Sequence, residues 1–133
     1  MTLADIKNQV MFQTNNDAED LGDYEPHIND YVNEGYDRLV SAWDKSHVSI
    51  GEYDRLEIDS DEPLLPEWTH RALVDYATWL IYRNGNPQKQ QRGMAYLNAF
   101  NQIERKILDE GGAAGLNEDG SLKRYNKFRN IPD

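Results

Sequence analysis

Three histidines, His27, His47 and His70, and twenty-four acids are the side chains here whose types could bind a metal or move a proton. The histidines stand twenty or more positions apart, and no His-Glu-x-x-His pair puts two imidazoles on one helical face, so spacing alone builds no metal site. His70, two residues after Trp68, reads as a surface or half-buried imidazole. Asp59-Ser60-Asp61-Glu62 has the density of a calcium loop. An EF-hand counted from Asp59 would need glycine at its sixth position and a bidentate glutamate at its twelfth, and those positions hold Leu64 and His70. This run, like Asn15, Asn16, Asp17, Glu19 and Asp20, reads as solvated acidic loop. No glycine-rich phosphate cradle and no Gly-x-Ser-x-Gly elbow occurs. Any two of so many acids can meet in a cleft as a glycosidase pair does, and such a pattern has no specificity. The expectation is therefore no catalytic residue, no metal and no cofactor.

A different chemistry is written near the far end. Between Ser121 and Asp133 the chain holds Lys123, Arg124, Lys127 and Arg129 against one acid, a net of +3, and Leu122, Tyr125, Phe128 and Ile131 recur every third residue among them. Residues 1–111 carry ten bases and twenty-one acids, a net of −11. Aromatics interleaved with bases on a segment too short for its own core suit an anchor that orders on a partner. Leu122, Lys123, Arg124, Tyr125, Lys127, Phe128, Arg129 and Ile131 are the expected partner-binding residues.

The elements that would carry such an anchor are helices. Thr2-Leu3-Ala4-Asp5 has the hydroxyl and the acid of a capping box, and Leu3, Ile6 and Val10 follow at helical spacing, which predicts a short helix over 3–13. Residues 14–26 form a polar connection. Pro26 suits a first helical turn, and Ile28, Val32, Tyr36, Leu39 and Trp43 predict a long helix over 26–45, with Gly35 marking a close crossing. Pro66-Glu67 opens a third helix bearing Trp68, Ala72, Leu73, Tyr76, Ala77, Leu80 and Ile81, stopped at Asn84-Gly85-Asn86-Pro87. A fourth runs over 87–109 with Met94, Leu97, Phe100, Ile103 and Ile107/Leu108, ending at Gly111-Gly112. Residues 46–65 break the helical period: Val48/Ile50 and Leu56/Ile58 alternate with polar residues, which predicts a short β-hairpin or an extended excursion. Helical aromatics such as Tyr31, Trp43, Trp68, Tyr76, Tyr96 and Phe100 are expected in the core. Trp79 and Tyr82 lie off the main stripe and are left to meet another subunit. The fold class is all-α: a small bundle of about four helices (1–111) with an insertion at 46–65 and an extended C-terminal arm (112–133).

At 133 residues the chain bounds one domain. Its net charge of −10 argues against a surface that wraps nucleic acid by neutralising phosphates. Zero cysteines exclude disulfides, thiolate nucleophiles and cysteine-ligated metals. The longest apolar stretch, Ala77 to Tyr82 with Thr78 inside it, falls far short of the roughly 20 residues a bilayer span needs, and Met1 to Asp5 lacks the opening of a signal peptide. No membrane partner is expected.

Thr2-Leu3-Ala4-Asp5-Ile6 opening a short helix, Ile28 to Tyr36 in a long second one, Pro66 to Leu73 starting a third, and the 94–108 stripe in a fourth together resemble the head-to-tail connector (adaptor, or head-completion) proteins of tailed bacteriophages. The resemblance covers about residues 1–110 and rests on helix order, size and texture. It implies a non-enzymatic ring, usually of twelve copies, in the virion neck and assembled in the host cytoplasm. Such a ring docks beneath the portal protein, extends the channel through which DNA passes without specific binding, and offers a platform to the next neck or tail-completion protein. It also implies a C-terminal arm, here Leu116 to Asp133, that reaches the portal or a neighbouring copy. The insertion at 46–65 departs from the plainest four-helix pattern. A reading from another class is an acidic inhibitor or DNA-mimic module that occupies the basic cleft of a nucleic-acid enzyme. A third, a small carbohydrate- or nucleotide-processing enzyme, would need a pocket with shifted carboxylates.

Overall fold

A computed structural model describes residues 1–111, which form four helices and, among the described residues, no strand. Helix α1 (Leu3–Thr14) begins where expected and for the expected reason. The Asp5 amide donates to the Thr2 hydroxyl at 3.2 Å while the Thr2 amide donates to the Asp5 carboxylate at 3.0 Å, satisfying two otherwise orphaned donors. Leu3, Ile6, Val10 and Thr14 form its buried side. A 3-10 turn over Asn15–Asp20 and another over Glu25–His27, which contains Pro26, lead into α2 (Ile28–Ser46). The proline thus sits in a tighter turn just ahead of the long helix.

Helix α3 (His70–Arg83), preceded by a 3-10 turn at Glu67–Thr69, is the centre of the bundle. Eleven of its fourteen residues are buried, so it packs on nearly every side, against α1, α2 and α4 (Pro87–Gly111). Where α2 crosses it, a Cβ on Gly35 would stand 3.0 Å from the Tyr76 Cβ and ring, so the close crossing expected at that glycine is real. Asn86 starts α4 by accepting the Lys89 amide at 2.9 Å. Phe100 and Ile107 fill the α4 side of the core, with Phe100 centred 4.7 Å from the Tyr76 ring. Met94, expected on that stripe, instead faces outward. Arg38 ties α2 to α4 through both Glu104 carboxylate oxygens, each at 3.0 Å, and lies over the Phe100 ring.

The hairpin expected at 46–65 does not form, and the extended excursion does. Its polar groups are matched by α2 rather than by a second strand. Asp44 accepts the Ile50 amide at 2.9 Å, Asp37 accepts the Tyr53 hydroxyl at 2.5 Å, and Asp30 pairs with Arg55 at 2.5 Å. Asn33 takes both backbone groups of Leu56, accepting its amide at 2.8 Å and donating to its carbonyl at 2.9 Å. The segment is therefore a strap running back along α2, and a side-chain amide does what a β-ladder would have done. Beyond Leu56 the strap meets the start of α1: the carbonyls of Asp61 and Asp59 accept the Leu3 and Ala4 amides at 2.7 and 3.1 Å. None of the described helices is long and apolar enough to cross a membrane. The arm expected over 112–133 lies outside the described residues.

Candidate functional site

All eight expected partner-binding residues, Leu122, Lys123, Arg124, Tyr125, Lys127, Phe128, Arg129 and Ile131, lie outside the described residues, so the surfaces of the body are what the structure places. The three histidines are far apart in role. His27 is exposed, 6.1 Å from the Tyr31 ring; His47 is buried and stacked on Trp43 at 3.9 Å. His70, expected as a surface or half-buried imidazole, is fully buried, and its Nε2 donates to the Leu65 carbonyl at 2.8 Å where the strap joins α3. Among the described residues no group of three or more His, Asp or Glu could hold a metal ion.

The largest departure from the sequence expectation is Asp17. It belongs to a run that reads as solvated loop, yet it is buried and holds three partners at once. The Tyr82 hydroxyl donates to it at 2.6 Å, one Arg92 nitrogen lies 2.8 Å from both its oxygens, and Lys89 completes the set. The Lys89 ammonium, then the Tyr82 and Arg92 hydrogen bonds, hold the Asp17 carboxyl well below the usual carboxylate range. Burial, followed by Asp17 itself, pushes the Tyr82 phenol up. Tyr82 is correspondingly buried, stacked on Tyr96 at 5.8 Å, and is not left for another subunit. Trp79 stays half-buried beneath Arg83. A second buried acid, Asp75, is shifted the other way by its burial, offset in part by Arg71 and Gln13. A raised carboxyl is one mark of a catalytic acid. Asp75, though, is held within the α1–α3 contact by Gln13 and lies 3.7 Å from Arg71.

Asp30, Glu34, Asp37 and Asp44 fall along one helical stripe of α2, and each already meets an internal partner: Arg55, Tyr53 and the Ile50 amide on the strap for Asp30, Asp37 and Asp44, and Tyr76 on α3 for Glu34. Burial and then the Asp37 carboxylate push the Tyr53 phenol up. Further along, a groove of about 530 Å3 opens between α1, the start of α2 and the strap. Ala4, Met11, Pro26 and Ile28 supply its apolar surface, and Lys7, Glu25 and Asp59 its charges, with Lys7 paired to Asp59 at 3.2 Å. No family model, curated protein or solved structure matches this chain.

Beside that groove the surface is unusually apolar for so polar a chain. Phe12 on α1 is 80% exposed, Ile58 in the strap 63%, and Met11 40%. Residues 1–37 contain nine acids and a single base, Lys7, and of those acids Asp17, Asp30, Glu34 and Asp37 meet partners inside the fold. Exposed apolar side chains of this kind suit contact with an apolar partner surface. Sequence reasoning missed this face because its parts come from three separated segments.

Proposed function

We propose that the protein is a structural component of the neck of a tailed bacteriophage, a ring-forming unit that docks beneath the portal and joins head to tail, and that it performs no reaction. The observation that carries the reading is the division of charge: a helical body of net −11 followed by a segment of net +3 with a regular apolar repeat. In a ring, carboxylate-rich bodies repel the phosphate backbone, so DNA slides through without adhering. The bodies also repel one another, and basic segments crossing to acidic neighbours offset that. The four-helix body, with helix order as in the connector resemblance, is compatible with this role.

The test is light scattering on the purified full chain, alone and with portal protein. The reading expects a ring-sized species or a stable complex with portal. A monomer that ignores portal and instead inhibits a nuclease would replace it with the DNA-mimic reading.

A further inference from the structure

We propose that residues 48–58 form a lid that lifts from α2 as one unit while the four helices stay folded, a device that stands apart from the assembly role proposed above. Its attachment is one-sided. Within it only Leu56 is buried; Ile50 and Tyr53 are half-buried, and the remaining side chains face solvent. Among the described residues, the helix that its hydrogen bonds reach is α2. Three of those contacts, Ile50 to Asp44, Tyr53 to Asp37 and Arg55 to Asp30, lie at the surface, where water competes for both partners and little is gained by closing. What shuts the lid is Leu56, with its side chain in the core and its amide and carbonyl on the Asn33 amide at 2.8 and 2.9 Å.

The two ends are fixed more firmly than the middle. On one side His47 is buried and stacked on Trp43, and its amide donates to the Trp43 carbonyl at 2.8 Å. On the other, the Asp61 and Asp59 carbonyls take the first amides of α1, the Tyr36 hydroxyl takes the Leu64 amide at 2.9 Å, and Leu65 is fully buried. Between these anchors Gly51 bends the chain at a φ of 79°, and a Cβ there would meet nothing within 4 Å, so the glycine serves the bend and not a contact. Opening strands few groups. When Leu56 leaves, Asn33 keeps its bond to the Asn29 carbonyl at 2.8 Å, Tyr36 keeps the Leu64 amide, and water reaches the rest. A segment with one buried side chain opens at far less cost than α3, eleven of whose fourteen residues are buried. Once open, α2 presents the Tyr36 ring, which the Tyr53 ring meets at 5.1 Å in the closed lid, beside the released carboxylates of Asp30, Asp37 and Asp44. That acidic, aromatic face exists only while the lid is up.

The test is native-state hydrogen exchange on the full chain, read amide by amide by NMR in urea kept below the unfolding transition. The buried Leu56 amide should exchange about a hundredfold faster, or more, than the Leu73 and Ala77 amides of α3, at a rate that urea scarcely changes, because a lid exposes little new surface. Two variants separate lid opening from global unfolding. Ile81→Val, a mild change in the buried face of α3, lowers the stability of the closed and the open protein alike against the unfolded chain. It should speed exchange at Leu73 and Ala77 roughly three- to tenfold and leave Leu56 unchanged. Leu56→Ala loosens the clasp and should speed the Ile50 amide by the same factor as the amide at position 56, since one motion frees both. A Leu56 amide that exchanges at the α3 rate with the α3 urea slope and follows Ile81→Val would overturn the proposal. So would an Ile50 amide that Leu56→Ala leaves unmoved, because the segment would then not lift as a unit.

Discussion

Asp17 shows how one carboxylate can organise three elements. It sits in the turn after α1 and draws Tyr82 from α3 and Lys89 and Arg92 from α4 onto a single point. A buried charge left without partners is costly, but one with three donors is stable, and removing it strands the two cations and the phenol. Asp17→Asn should therefore lower unfolding stability by about 2 kcal/mol, seen as a lower urea midpoint with an unchanged slope. Its pH signature has a fixed sign. Because the folded-state value lies below the unfolded value of about 3.9, the stabilisation is present in full above that value and is lost as pH falls towards the folded one. The acid limb of the stability curve below about pH 4 should accordingly be shallower in Asp17→Asn than in the parent chain. Nothing in Thr14-Asn15-Asn16-Asp17-Ala18-Glu19-Asp20 distinguishes Asp17 from Asp20. The difference arises from partners more than sixty residues away, which no local pattern encodes. The same is true of His70, whose Nδ1 meets the amino group of Met1 at 2.9 Å from the far end of the described chain.

At the scale of elements, helices were legible because their signal is local. The capping box at Thr2, the apolar period of α2 and the Asn84-Gly85-Asn86-Pro87 stop each act within a few residues, and each appears where the sequence puts it. The strap was only half legible. Alternation in Val48/Ile50 and Leu56/Ile58 correctly marks extended chain, but the partner that satisfies it is the Asn33 amide on α2, not a strand. Asn33→Ala should leave the Leu56 amide and carbonyl buried and unpaired, cost about 2–3 kcal/mol, and open the 47–65 region to limited proteolysis while the helices remain protected. Helix contacts set a second prediction. A Cβ on Gly93 would lie 2.6 Å from the Tyr82 Cβ, an atom fixed to its backbone, while one on Gly35 meets Tyr76 at 3.0 Å. Relief of the glycine helix penalty returns about 1 kcal/mol in each case. Gly93→Ala should thus destabilise by about 2 kcal/mol net and Gly35→Ala by less, with thermal unfolding reporting the order.

For the molecule as a whole, charge segregation was fully legible and its destination was not. The body's acids are divided between those the fold uses, such as Asp17, Asp37 and Asp44, and those left on the surface near the groove, such as Glu25. Only the folded chain shows that division. An assembly held by exposed opposite charges weakens with salt, because the screening length falls from about 10 Å at 0.1 M to about 3 Å at 1 M. The most direct test is the mass, by light scattering at low salt with and without portal, of the full chain beside a variant with Lys123, Arg124, Lys127 and Arg129 all replaced by Glu. An assembled or portal-bound parent and a monomeric, unbound variant is the predicted result; the same mass and the same portal binding for both would contradict it.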